Sequence, residues 1–264
     1  MPTVRCGDID VYYERSGEGP RLLFLNGSGA TLASSGLLID LFRSRFDVVA
    51  HDQRGLGQTD VPPGPYTMAQ YAADALALID HVGWERCRVV GVSFGGMVAQ
   101  EVAVTAPERV ERLALACTSP GGSAGASYPL HELEHLAADE RARRAVQLLD
   151  TRFDPAWLEV HPEDSALVKM MAGRTAGTKA ADQVRGEREQ LLARRDHDVG
   201  DRLGRITCPT LVAAGRYDGI APLVNSQAIA ARVPNAELRV YDGGHAFFAQ
   251  DRRAIPDIIE FLAD

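Results

Sequence analysis

Lysine is almost missing from this sequence: Lys169 and Lys179 are the only two among 264 residues. Arginine carries nearly all the positive charge. Acids outnumber bases, 36 to 28, for a formal net charge of −8. Such a chain lacks the basic patch that nucleic-acid phosphates or an anionic bilayer would require, so neither is expected as a partner. Cysteine is scarce as well. Cys6, Cys87, Cys117 and Cys208 are widely spaced and form no C-x-x-C pair, which reads as free thiols in a reducing cytosol. No apolar run approaches the length of a membrane span, and Met1 to Cys6 lacks a basic-then-apolar leader. A cytoplasmic location is the expectation. Internal repeats and low-complexity tracts are also missing.

What is present is an ordinary apolar content of 45% in a length suited to one large α/β domain, or one domain with an insert. Ile9 to Tyr13 alternates as a strand does. Leu22–Leu25, Phe46–Ala50, Arg88–Val92 and Leu113–Ala116 are short apolar runs, as parallel strands covered on both faces require. Helical spacing marks Met68 to His81 and Phe94 to Thr105, the latter stopped by Pro107. The rhythm returns with Thr210–Ala214 (strand), Leu223 to Arg232 (helix), Glu237 to Tyr241 (strand) and Ala254 to Leu262 (helix). Strands alternating with helices predict a doubly wound, mostly parallel α/β sheet. The middle departs from it. After the small-residue stretch Pro120–Gly125, the pattern is helical and charged to Arg205. The expected organisation is a core of residues 1–119 and 206–264, with 120–205 inserted as a helical lid.

Gly91-Val92-Ser93-Phe94-Gly95 is a G-x-S-x-G sequence placed after a strand and before a helix, the context of a nucleophile elbow. The turn is too tight for a Cβ at either glycine, and the helix start beneath Ser93 favours developing negative charge. The plain alternative is a helix-capping serine. A serine hydroxyl needs a base. His245, in Asp242-Gly243-Gly244-His245, follows the last strand on a glycine-rich loop that can reach back over the sheet edge. Asp218 directly follows the 210–214 strand, where its carboxylate can hold the imidazole's tautomer. A loop histidine and a turn aspartate are the bland readings of these two. Acyl transfer also needs amide donors for an oxyanion. The Phe94 amide is one candidate. The second comes from Asn26-Gly27-Ser28-Gly29, with Ser28 first and Gly27 close behind.

With these residues placed, the chain resembles the α/β-hydrolases of the esterase and lactonase branch, over residues 3 to 120 and 206 to 263. His51-Asp52-Gln53-Arg54-Gly55-Leu56-Gly57 resembles that family's structural D-x-R-G-x-G loop. Ala106-Pro107-Glu108-Arg109-Val110 fits after the nucleophile helix. The resemblance carries the Ser93, Asp218, His245 triad over in the family's chain order. Many members have His-Gly at the oxyanion loop. Asn26 here is similar to the 3-oxoadipate enol-lactonases, which tilts the implied substrate toward a lactone or enol ester. Serine in place of aspartate at position 93 sets aside the family's epoxide and haloalkane chemistries.

The reading is therefore a serine hydrolase acting on a small-molecule ester or lactone, with no cofactor and no metal, and with the oligomeric state open. The same triad also serves C–C bond hydrolases, acyltransferases and perhydrolases, and the fold serves non-catalytic receptors. Asn26, Trp157 and Phe247 are candidate substrate contacts. Phe94, Phe248, Met170 and Met171 read first as packing. One rival motif stands apart: His131-Glu132-Leu133-Glu134-His135 matches H-E-x-x-H and its inverted form. On a helix, His131 and His135 would share a face and could hold zinc. The long form of the motif, with a glycine and a third histidine, fails, since Ala138 and Arg141 occupy those positions. Glu159 or Glu163 could serve as the third ligand, and a charged, solvated helix is the plain reading.

Overall fold

The computed structural model describes residues 2–175 and 179–264. Its centre is a single eight-stranded sheet: β1 (Thr3–Cys6), β2 (Ile9–Ser16), β3 (Arg21–Leu25), β4 (Asp47–His51), β5 (Cys87–Val92), β6 (Val110–Ala116), β7 (Thr210–Gly215) and β8 (Ala236–Tyr241). Their spatial order is β1-β2-β4-β3-β5-β6-β7-β8. The first two strands pair antiparallel, and β4 through β8 run parallel. The doubly wound α/β expectation holds, with an antiparallel edge added by β1 and β2.

Alternation along the strands explains the two layers. Leu23 and Leu25 of β3, Val89 of β5, Leu113 and Leu115 of β6 and Val212 of β7 pack into one cluster. Leu22, Phe24, Val90, Ala114, Leu211 and Ala213 pack into the other. Successive strand side chains point to opposite faces, so strands buried on both sides must be apolar throughout. The first face is covered by α2 (Met68–His81), α3 (Phe94–Thr105) and α8 (Leu223–Ala230). The second is covered by α1 (Leu32–Arg43), the short α9 (Phe247–Gln250) and α10 (Ala254–Ala263). On α2, Met68, Tyr71, Ala72, Ala75, Leu78 and Ile79 form the buried stripe, and Thr67 with Gln70 closes its start as a capping box. Thr31 and Ser34 do the same for α1.

Between β6 and β7 lies the helical insertion that the sequence predicts. It carries α4 (Ala138–Leu149), α5 (Pro155–Val160), α6 (Pro162–Thr175) and α7 (Ala181–Arg195). Its two ends meet, because the Val199 amide donates to the Pro120 carbonyl at 3.0 Å. Leu149, Phe153, Leu167 and Ala246 form a small satellite core, joining the insert to the loop that carries His245. Cys6, Cys87, Cys117 and Cys208 are free and buried. No helix among the described residues is long and apolar enough to cross a membrane.

Candidate active site

Ser93 sits between β5 and α3 with φ 55° and ψ −114°, a strained conformation for a residue with a side chain. Its surroundings enforce it. The Ser93 amide donates to the Ala116 carbonyl at 2.8 Å, and the Thr118 hydroxyl donates to the Ser93 carbonyl at 2.8 Å. A Cβ at Gly91 would overlap the Gly95 carbonyl, and one at Gly95 would overlap the Leu25 carbonyl. Only glycine at both positions lets β3, β5 and α3 converge under the hydroxyl.

His245 lies on the loop between β8 and α9. Its Nε2 is 2.9 Å from Ser93 Oγ and its Nδ1 is 2.8 Å from Asp218 Oδ2. The other Asp218 oxygen, Oδ1, accepts from the amides of Ile220 and Ala221, both at 2.8 Å. Both oxygens of the buried carboxylate are thus committed, which fixes its plane. The three residues, 152 and 27 positions apart in sequence, form one hydrogen-bonded line.

The amides of Gly27, Ser28 and Phe94 find no acceptor among the described residues. Gly27 lies against Ser93: a Cβ there would stand 3.5 Å from Ser93 Cβ. The Gly29 amide is spent, donating to Gln190 Oε1 at 2.8 Å. Free amides beside a hydroxyl, one of them at a helix start, suit a developing oxyanion. Cys117, close enough to feel the Asp218 charge, is no rival nucleophile, because burial pushes its thiol well above its ordinary value.

The insert holds both partner loops. The His245 amide donates to the Leu149 carbonyl at 2.6 Å, the Gly219 amide to Leu148 at 3.1 Å, and the Thr151 amide to Tyr217 at 2.9 Å. Arg152 pairs with fully buried Asp150 at 2.7 Å and with Asp242 at 3.2 Å. Its guanidinium lies 3.9 Å from the Tyr217 ring centroid and 4.8 Å from that of Trp157. Sequence reasoning passed over this clamp.

The candidate substrate contacts separate. Asn26 is buried with its Nδ2 unpartnered, next to the free amides. Phe247 has no exposed surface and stacks on Tyr241, 5.1 Å between centroids, so its place is the core beneath α10. Trp157 stacks on His161 and donates to Asp164 Oδ2 at 2.8 Å, packing within the insert. Phe94 is core, edge-on to Tyr71. Met171 packs on the satellite core with Phe248, while Met170 faces outward.

Asp52 and Arg54 are structural, as the resemblance implies. Asp52 accepts from the Leu32 and Gln58 amides, at 2.7 and 2.9 Å. Arg54 bridges Asp74 and Asp8, at 2.8 and 2.7 Å. The rival motif does not form the expected α-helix. Leu130–His135 is a 3-10 turn, where about three residues complete a turn, so positions i and i+4 diverge. His135 instead lies 3.8 Å from Glu134. Among the described residues, no three of His, Cys, Asp and Glu gather to hold a metal ion.

Comparison with known proteins agrees with this architecture. The profile of the alpha/beta hydrolase fold matches residues 20–251. The 3-oxoadipate enol-lactonase 2 of Acinetobacter baylyi is 26% identical over 261 residues, 98% of this chain and 94% of that one. The poly(3-hydroxyalkanoate) depolymerase of Ectopseudomonas oleovorans is 31% identical over 246 residues, 91% of this chain and 83% of that one. The crystal structure of a hydrolase from Pseudomonas aeruginosa PA01 superposes with a TM-score of 0.79 at 29% identity, over 100% of this chain and 98% of that one. With its profile spanning most of the sequence and its relatives running nearly end to end, the chain belongs to the alpha/beta hydrolase fold family.

Proposed function

We propose that the protein hydrolyses a carboxylic ester or lactone through an acyl-enzyme on Ser93. The observation that carries this reading is the hydrogen-bonded line from Ser93 through His245 to Asp218, at 2.9 and 2.8 Å. His245 Nε2 takes the hydroxyl proton as Ser93 Oγ attacks the carbonyl carbon. Asp218 keeps the Nδ1 proton on its own side and stabilises the imidazolium. The carbonyl oxygen, now an oxyanion, is received by the Phe94 amide and by Ser28 or Gly27. Collapse expels the alkoxide, which leaves with the proton from His245. In a lactone that alkoxide remains tethered to the acyl group. Water then enters, gives a proton to His245 as its oxygen attacks the acyl carbon, and the second oxyanion collapses to release the acid, with Ser93 Oγ leaving and taking the proton back from His245.

An enol-lactonase and a polyester depolymerase among the relatives support the choice of ester-type bonds. The test is stoichiometric labelling by a fluorophosphonate probe, followed by a short-chain nitrophenyl ester assay. Wild type should label at Ser93 and turn over the ester, and Ser93→Ala should lose both while keeping its far-UV spectrum. Wild-type turnover in Ser93→Ala would overturn the assignment.

A further inference from the structure

The two residues before His245 are glycines, which give the loop no side chains of their own to pack. Hydrogen bonds to its backbone hold it instead. One runs from the His245 amide to the Leu149 carbonyl at 2.6 Å. Another comes from Gln250, the last residue of α9, whose Oε1 accepts from the Gly244 amide at 2.9 Å. The other end of the same side chain reaches away from the loop. Its Nε2 donates to Asp150 Oδ2 at 3.0 Å and to Asp164 Oδ1 at 3.1 Å. These partners fix which end is which, since an amide N–H needs an acceptor and a carboxylate needs a donor.

Both carboxylates belong to the insert. Asp150 has no exposed surface and is also held by Arg152. Asp164 stands on α6, and its other oxygen accepts from Trp157 Nε1, on α5, at 2.8 Å. Gln250 is therefore one side chain joining three segments: the His245 loop, the residues after α4, and the α5–α6 pair. Few side chains could do this. Glutamate can accept from the Gly244 amide but, when ionised, has nothing to donate to two carboxylates. Lysine can donate but not accept, and methionine offers no donor.

We propose that Gln250 is a positioning residue for the reaction at Ser93: it sets the peptide that precedes His245, and through Asp164 it ties that setting to the seating of α6. The inference rests on the hydrolase reading. The Gln250 side chain hydrogen-bonds to the loop backbone and to the insert, so it acts on the imidazole through the chain that carries it. Proton transfer needs His245 Nε2 within hydrogen-bond reach of Ser93 Oγ, and a misplacement of about 1 Å is worth up to about a hundredfold in rate.

Fluorophosphonate labelling carried to completion counts the competent sites, so kcat for a nitrophenyl ester can be expressed per labelled serine. Per site, Gln250→Met should lose about tenfold or more in kcat, with KM within about twofold of wild type. A merely structural role would lower Tm and the labelled fraction and leave kcat per site intact, and that result overturns the proposal. A raised KM at wild-type kcat overturns it too. Asp164→Ala should lose about threefold in kcat, again without a change in KM. Added to Gln250→Met it should cost nothing more, because both act through one link, and losses that multiply would sink the tie to α6. Should Gln250→Met not fold, Gln250→Glu decides. At about pH 8 it keeps the acceptor for Gly244 and loses both donors, so kcat per site should fall about tenfold, and a wild-type kcat counts against the proposal. Wild type that neither labels nor turns over the ester removes the hydrolase reading itself, whereas active wild type with an unaffected Gln250→Met removes this inference alone.

Discussion

At the scale of single residues, Asp218 shows how much of the chemistry is a matter of orientation. One oxygen is held by the Ile220 and Ala221 amides, and only the other meets His245. Asp218→Asn would preserve the shape but present either an N–H or a weaker acceptor to Nδ1, favouring the wrong tautomer. The expected loss in kcat is about 10⁴-fold with KM for a nitrophenyl ester little changed, by analogy with the same substitution in other triads. A loss under tenfold would mean that the His245 tautomer is set by another group. Gly95 makes a steric counterpart. A methyl there overlaps the Leu25 carbonyl, so Gly95→Ala should lower soluble yield and Tm, whereas Gly27→Ala, with room at 3.5 Å, should fold. Circular dichroism melts of the pair separate the two cases.

At the scale of elements, the insert braces the loops that carry Asp218 and His245. The segment following α4 bonds the Asp218 loop through Leu148 and Thr151, and the His245 loop through Leu149. Arg152 closes the junction between Asp150, Tyr217 and Trp157. Removing it as Arg152→Ala leaves the Asp150 carboxylate buried with only Gln250 donating to it from a side chain. The expected cost is about 3 kcal/mol, the range for breaking one side of a buried ion pair. Both Tm and kcat should fall, since the two loops share the brace. A variant with normal Tm and kcat would show that the satellite core suffices. This element also marks where sequence reasoning stopped. Ser93, Asp218 and His245 were legible because each sits at a strand end among turn residues, and strand ends are fixed by period and by glycine. Arg152 and Gln250 were not. Nothing local marks Gln250, because its partners Asp150 and Asp164 lie 100 and 86 positions away, in the insert. Helix α1 escaped notice because Ser34, Ser35 and Gly36 dilute its apolar stripe to Leu32, Ile39 and Phe42. The H-E-x-x-H reading failed in the opposite sense: the pentapeptide is there, but Pro129 and the following turn close it as a 3-10 segment.

Over the whole molecule, stability should fall on mild acidification, well above the pH at which carboxylates titrate. Two histidines outside the triad are almost wholly buried: His51 at the end of β4 and His197 just after α7. Burial lowers His51 to about 4. His197 is lowered to about 4 as well, by burial first and by the nearby Arg202 next, with Asp198 opposing. Their ordinary value is 6.5. Below that value the unfolded chain takes up a proton on each ring while the folded chain does not, so the unfolded state binds more protons and is favoured as pH drops. Each ring contributes a slope of about 1.4 kcal/mol per pH unit at most, confined to the interval between its unfolded and folded values. Asp8, Asp196 and Asp251 belong to a lower window: their arginine partners hold them below the usual range, so their stabilisation is lost only under stronger acid. For a chain of this size, 1 kcal/mol moves Tm by about 2–4 °C. Thermal melts should therefore show Tm falling by roughly 5 °C per unit between pH 6 and 5 and levelling toward neutrality. His51→Gln should remove about half of that slope, since glutamine keeps a polar side chain without the proton uptake. A Tm flat between pH 7 and 5 would mean that the folded protein accepts these protons too, and that some neighbouring carbonyl or carboxylate turns to meet the rings.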